Sequence, residues 1–431
     1  MERNDPRYQA YVEILKEELI PAMGCTEPIA LAYAAAKARE VLGVLPDSVQ
    51  LQVSGSIIKN VKSVIVPNTG HLKGMEAAVA AGIIAGSAEK ELEVISEVSE
   101  EKKSAIRDYL QTVPITIEHT EQGHVFDIVV TERCGQDYAR VRIADYHTNI
   151  CRIEKNGTVL YEVPLLDETV QEDARADRSL LNMQDIWDFA ETADLRDVAD
   201  LLERQIRYNN AIAEEGLLGD YGANIGRVLL TTYGNDVSNR AKAKAAAGSD
   251  ARMNGCALPV AIVCGSGNQG ITCALPVMEY AEYLRCDHER LVRAVMLSDL
   301  IAVHIKSYIG ALSAFCGAIC AACGAGAAIT WLCGGTREQI GATVSNTLGN
   351  VGGIVCDGAK ASCAAKISAA VDAAILGHDM AMQGRGFRAG EGLIQDTVEQ
   401  TIASMGYVGR VGMKDTDIEI LNIMIGKTQV C

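Results

Sequence analysis

Gly310-Ala-Leu-Ser-Ala-Phe-Cys-Gly-Ala-Ile-Cys-Ala-Ala-Cys-Gly-Ala-Gly-Ala-Ala-Ile-Thr-Trp-Leu-Cys-Gly-Gly335 carries no charged side chain. It is longer than the roughly 20 residues needed to cross a bilayer. Its composition nevertheless argues against lipid, being rich in Gly, Ala, Ser and Cys rather than in Leu, Ile and Phe. The stretch therefore reads as a buried pair of central helices. Ala-rich helical segments separated by Gly-rich turns continue from it to the C-terminus.

Working outward, acidic helical segments fill residues 168–215, and strand signals nearly vanish after Pro164. Upstream the character differs. Val49-Gln-Leu-Gln-Val53 alternates like a half-buried strand, and Val61–Val66, Ile115–Ile117, Val125–Val130, Ala139–Ala144 and Ile150–Ile153 are further strand candidates. Asn156-Gly157 marks a hairpin turn into Thr158–Val163. Met75–Gly86 and Glu100–Leu110 read as helices. At the N-terminus, Tyr11, Ile14, Leu15 and Leu19 recur at helical spacing, Pro21 and Gly24 break the pattern, and Thr26 is a candidate N-cap for a second helix. The expected fold class is α+β. A mainly helical catalytic domain of residues 1–45 with 166–431 receives an inserted α+β module of residues 46–165, whose sheet is mostly antiparallel.

Apolar residues make up 48% of the 431-residue chain, enough for a real core and too many for disorder. The formal net charge of −17 repels phosphate backbones and anionic lipid surfaces, so neither nucleic acid nor membrane is an expected partner. Fourteen cysteines in a chain far larger than a disulfide scaffold, with no basic and apolar leader after Met1, point to a reducing cytoplasm. The thiols are then ligands, nucleophiles or small core residues.

Among them Cys316, Cys356 and Cys363 stand out, the last two within Cys-Asp-Gly-Ala-Lys-Ala-Ser-Cys. Three thiolates can hold a cubane iron–sulfur cluster with one iron open, and an open iron is a Lewis acid. Zinc and plain packing are the other readings. A structural zinc site normally takes four ligands, and Cys320-Ala-Ala-Cys323 has no second such pair to join it. Cys320, Cys323 and Cys333 read as packing cysteines. Cys25, in Gly24-Cys-Thr-Glu-Pro28, precedes a helix start, where amide donors lower a thiol's pKa; it is a base, a nucleophile or an incidental turn residue.

Gly265-Ser-Gly-Asn-Gln-Gly270 matches a dinucleotide loop in spacing but lacks the required parallel-sheet setting. It reads better as a tight loop offering Ser266, Gly267 and Asn268 to a small carboxylate. Asn68 and Thr69 in Val66-Pro-Asn-Thr-Gly70, His147 in His147-Thr-Asn149, and Arg252 upstream of the glycine loop are further candidates for substrate contact, each also explicable as a turn or helix-end residue.

Together, Gly24-Cys-Thr-Glu-Pro28, Pro67-Asn-Thr-Gly70, His147-Thr-Asn-Ile150, Ser249-Asp-Ala-Arg-Met253, Gly265–Ile271, Leu312-Ser-Ala-Phe-Cys316 and Ile354-Val-Cys-Asp-Gly-Ala359 closely resemble the L-cysteine desulfidase family, also called UPF0597. That family is related to the alpha domain of iron–sulfur L-serine dehydratases. The resemblance spans nearly the whole chain and the motifs occur in order. It implies a 4Fe-4S cluster on Cys316, Cys356 and Cys363, with Cys25 abstracting a proton. The implied reaction turns L-cysteine and water into pyruvate, ammonia and hydrogen sulfide. The spacing of the first two ligands is slightly shorter than in the serine dehydratases, and Cys431 has no assured counterpart. The competing expectations are an L-serine dehydratase using the same cluster and a non-catalytic metal or redox sensor. The expected partners are a small amino acid and a second copy in a homodimer.

Overall fold

The computed structural model describes residues 1–120, 124–165, 176–310 and 313–428. Helix α1 (Pro6–Glu18) starts at Asp5, whose side chain accepts from the Arg7 amide. The break at Pro21 and Gly24 holds a short strand, β1 (Pro21–Met23), before α2 (Thr26–Leu42). The N-cap of α2 is Cys25, with φ −80° and ψ 132°, not Thr26 as expected. Thr26 is the first residue inside the helix, and its hydroxyl reaches the Gly265 carbonyl and the Glu27 carboxylate instead of capping.

Next come β2 (Ser48–Val53) and α3 (Gly55–Val61). The strand expected over Val61–Val66 does not form. Ile57, Ile58 and Val61 are buried on α3, and the extended residues after it make only a single bridge, Ile65 with Lys73. β-Branched residues favour a strand only where a partner strand lies alongside, and here a turn intervenes. Helices α4 (Gly74–Ala85) and α5 (Glu100–Thr112) follow as read.

Strands β3 (Ile115–His119), β4 (Asp127–Cys134), β5 (Asp137–Ala144), β6 (Ile150–Lys155) and β7 (Thr158–Glu162) join β2 in a six-stranded sheet of order β3-β2-β4-β5-β6-β7. Only β2 with β3 is parallel, so the sheet is mostly antiparallel, as expected. The turn from β6 to β7 has Asn156 at φ 49° and Gly157 at φ 80°, the left-handed pair that a tight hairpin requires.

The remaining described chain is helical apart from one short strand. It runs α6 (Met183–Thr192), α7 (Ala199–Leu218), α8 (Ile225–Tyr233), α9 (Val237–Met253), β8 (Pro259–Ala261), α10 (Gly267–Tyr283), α11 (His288–Ile309) and α12 (Gly317–Leu332). It ends with α13 (Arg337–Val351), α14 (Cys363–Met382), α15 (Val398–Tyr407) and α16 (Lys414–Met424). Strand β8 pairs antiparallel with β1, so the glycine loop leaves a two-stranded ribbon and not a parallel sheet.

Among its described residues the uncharged stretch supplies one helix, α12, and not the expected pair; it packs on α10, α11, α13 and α14 and buries every residue from Ala318 to Leu332. Among the described residues no helix is long and apolar enough to cross a membrane. Helix α2 packs on α4 and also on β4 and β5. Small residues make these crossings close. A Cβ on Gly324 would sit 2.2 Å from the Ser298 carbonyl on α11, and one on Gly82 would sit 2.1 Å from the Ala32 carbonyl on α2. Backbone at the contact leaves no flexible side chain to yield, so an added methyl must push the helices apart.

Gly324→Ala is therefore expected to destabilise the fold by about 1–3 kcal/mol in chemical denaturation. Gly353→Ala, where nothing lies within 4 Å of the added methyl, should change stability by less than about 0.5 kcal/mol.

Candidate active site

Cys316 and Cys356 are brought together by one backbone contact. Phe315 and Val355 form an isolated antiparallel bridge, flanked by Cys316 N–H to Ile354 O at 3.1 Å and Cys356 N–H to Ala314 O at 2.6 Å. Side chains alternate along extended chain, so the two cysteines, each one step past the bridged pair, leave the bridge on the same face. Cys316 is also the N-cap of α12, and Cys363 opens α14 with its Sγ 3.7 Å from Gly358 O. Lys366, one turn further along α14, donates to Val355 O at 2.9 Å and pairs with Asp357, which also pairs with Lys360 at 3.3 Å. Both neighbours of Cys356 are thus tied to the helix that carries Cys363.

Burial pushes the Cys316 thiol up to about 12, with the thiols of Cys356 and Cys363 adding to the rise. Burial raises Cys363 as well, with Cys356 contributing. Cys316 and Cys363 therefore share a poorly hydrated environment and resist ionisation until a cation takes the place of the protons. All three are free thiols. Among the described residues no three His, Cys, Asp or Glu side chains close on a point that a single metal ion could occupy. A cluster of several irons takes one thiolate per iron, so its ligands surround a volume instead of a point, and this soft donor set fits such a group. Cys320 and Cys323 are fully buried inside α12 and pack in the core, as expected. Cys431 lies outside the described residues.

Cys25 sits beside this set. With Val64 and Met253 it forms a small buried cluster against which Ala359 and Cys363 pack. Its Sγ donates to Glu27 Oε2 at 3.1 Å, and Asn60 Nδ2 donates to Glu27 Oε1 at 3.0 Å. The expectation of a depressed thiol pKa is not met. Burial pushes Cys25 well up and the Glu27 carboxylate adds to it, while Arg252 opposes. Desolvation outweighs the helix end because only 2% of Cys25 is exposed to water.

The glycine loop lies on the other side of Cys25. Thr26 Oγ1 reaches Gly265 O at 3.2 Å, and Cys264 and Gly265 both hold left-handed φ before Ser266 caps α10. Arg252 is buried in the last turn of α9, and a Cβ on Gly267 would be 2.4 Å from its Nε, so only glycine fits there. His147, in the loop from β5 to β6, stacks edge-on against Phe126 at 4.7 Å, and its Cε1 lies 3.6 Å from a Cβ built on Gly265. Burial lowers its pKa, which favours the neutral ring. Four buried polar atoms around this loop find no hydrogen-bond partner among the described residues: His147 Nε2, Arg252 Nε, Asn268 Oδ1 and Gln269 Oε1. Orphaned buried polar groups are costly, and a polar ligand would relieve them.

Asn68 and Thr69 are placed differently. Asn68 donates to Ile95 O at 3.0 Å and Ser96 O at 3.1 Å; Thr69 donates to Val66 O at 2.7 Å and accepts from Leu72 N–H. Their polar groups brace the turn, and Pro67 in that turn packs on Gly24, next to Cys25. Glu27, Asn60 and Gln269 were not singled out by sequence reasoning. Glu27 stood within a quoted motif, whereas Asn60 had no local signal. Gln269 touches Gly317, beside Cys316, and so links the glycine loop to the thiol set. A cavity of about 640 Å³ lined by Met23, Glu89, Glu91, Glu93 and Glu97 lies elsewhere, and its carboxylates would repel an anionic group.

The sequence has relatives among known proteins. Residues 89–422 match the family described as serine dehydratase alpha chain. A UPF0597 protein of Desulfitobacterium hafniense is 56% identical over 427 residues, covering 99% of each chain. A UPF0597 protein of Lachnoclostridium phytofermentans is 50% identical, covering 97% of this chain and all of its own. One from Treponema denticola is 43% identical over 99% of this chain and 100% of its own. By these matches over nearly its whole length, this chain belongs to the UPF0597 family and to the serine dehydratase alpha-chain family.

Proposed function

We propose that this chain is an iron–sulfur-dependent C–S lyase of the cytoplasm that converts L-cysteine and water into pyruvate, ammonia and hydrogen sulfide. The observation that carries the reading is the packing of Cys25 against Cys363, with the unpartnered polar atoms of His147, Arg252, Asn268 and Gln269 around the adjoining loop. A family described by the words serine dehydratase supports lyase chemistry more broadly.

Cys316, Cys356 and Cys363 would hold a 4Fe-4S cluster. When bound, the cluster supplies a Lewis acid that eases departure of the β-substituent. Everything else falls to the chain. Arg252 offers a guanidinium to the substrate carboxylate, with neutral His147 Nε2 as a further partner. The carbonyl oxygens of Asn268 and Gln269 accept from the substrate ammonium. Donors and acceptors gathered around the glycine loop match a zwitterion better than an anion alone. Cys25 Sγ takes the Cα proton; the Cα–H pair becomes the Cα=Cβ bond and the Cβ–S pair leaves with sulfur. The aminoacrylate tautomerises to an imine, and water hydrolyses it to pyruvate and ammonia.

L-Serine is the second reading, favoured by the description of the matching family. A substrate panel on anaerobically reconstituted protein separates the two. Sulfide and pyruvate in equal amounts from L-cysteine are expected, and pyruvate from L-serine alone would reject the first reading.

Cys356→Ser is expected to lose iron and acid-labile sulfide, read by chemical analysis and visible absorption, together with activity; a full cluster in that variant would refute the ligand assignment. Cys25→Ala should keep the cluster and lower kcat by about 10²- to 10⁴-fold. Arg252→Gln should raise KM by about 10- to 100-fold, the worth of a charge-assisted hydrogen bond.

A further inference from the structure

We propose that Glu27 is the positioning residue for the Cys25 thiol, receiving its proton and fixing it where the thiol set meets the glycine loop. The inference rests on the reading of Cys25 as the proton-abstracting group. It goes beyond that reading by naming where the proton of Cys25 itself goes.

Cys25 Sγ, Asn60 Nδ2 and the Thr26 hydroxyl, whose single proton is shared with Gly265 O, surround this carboxylate. Oε2 lies 3.1 Å from both Cys25 Sγ and Thr26 Oγ1, and Oε1 lies 3.0 Å from Asn60 Nδ2. Each donor leads to a different part of the site. Thr26 Oγ1 also reaches Gly265 O in the glycine loop. Asn60 abuts Gly358, whose Cβ position would be 3.1 Å from Asn60 Oδ1 and 2.2 Å from Lys59 O, and Gly358 O faces Cys363 Sγ. Cys25 then closes the circuit by packing on Cys363. Glu27 stands in the first turn of α2, where the helix end favours a negative charge, and it is nearly buried.

The chemistry balances without another reactant. A thiol that is to take a Cα proton must first release its own. Its S–H bond breaks and an O–H bond forms at Glu27 Oε2, across the observed 3.1 Å, with no change in the charge of the pair. Sγ then receives the Cα proton, and the Cα electron pair enters the new double bond as sulfur leaves Cβ. A glutamine at this position would keep the size and one acceptor, but it cannot take the proton.

The test uses the anaerobically reconstituted full chain as E27Q, C25A and the double variant. E27Q is expected to carry the parent's iron and sulfide content, to keep KM within about threefold, and to lose about 100-fold in kcat on L-cysteine. The isotope effect on kcat with Cα-deuterated L-cysteine should rise, because proton abstraction has become slower. In the C25A background E27Q should add no further loss, since both act through one thiol. An unchanged isotope effect, a loss confined to KM or cluster content, or an additive double variant would each overturn the proposal. If E27Q does not fold, E27D, with its carboxylate one methylene further back, must show the same rise in isotope effect. Normal turnover in C25A would bring down the reading of Cys25 itself. An inactive C25A beside a normal E27Q would bring down only the role of Glu27.

Discussion

The bridge between Phe315 and Val355 is the contact on which the site depends. It joins two segments that are far apart in sequence, sets Cys316 and Cys356 on one face, and leaves each free to lead into helical structure. Helix α12 begins directly at Cys316, and the loop after Cys356 runs through Gly358 to Cys363 at the start of α14. Lys366 closes the arrangement by holding the residues on both sides of Cys356. Without the bridge, three cysteines in three chain segments would have no common environment.

Water exclusion governs the chemistry that this environment permits. A helix start lowers a thiol's pKa when solvent shares the charge. Here Cys25 is enclosed, a carboxylate accepts its hydrogen bond, and the balance runs the other way. Cys316 and Cys363 behave alike, since burial and their neighbours' partial charge both favour the thiol. A site of this kind is inert until positive charge enters it. Soft metal ions supply such charge to the thiol set, and a substrate ammonium together with Arg252 would supply it near Cys25.

Small side chains make the enclosure possible. Gly324 on Ser298 and Gly82 on Ala32 let helices meet at backbone distance, and Gly358 and Gly267 do the same within the site, against Lys59 O and the Arg252 side chain. The low aromatic content, 5%, is the compositional trace of that packing. A larger residue at any of these positions would have to displace the backbone or side chain it meets.

Much of this was legible in local sequence. The hairpin turn at Asn156-Gly157, the alternation of β2, the helices over residues 75–86 and 100–110 and the buried character of the uncharged stretch follow from periodicity and from steric preferences of single residues, which act over a few positions. The choice of Cys316, Cys356 and Cys363 as soft donors rested instead on thiolate chemistry and on the family resemblance. The failures have the same origin: Val61–Val66 looked like a strand because propensity ignores whether a partner strand exists, and Cys25 looked acidic because a helix start is visible in sequence while burial is not. Tertiary structure alone decided that Cys25 packs on Cys363, that Asn60 and Gly265 meet through Thr26 and Glu27, and that Asn68 and Thr69 turn their polar groups into their own loop. Apart from the local turn of Thr69, those outcomes depend on contacts between residues tens to hundreds of positions apart and on exclusion of solvent, and both are properties of the packed chain that no short window of residues contains.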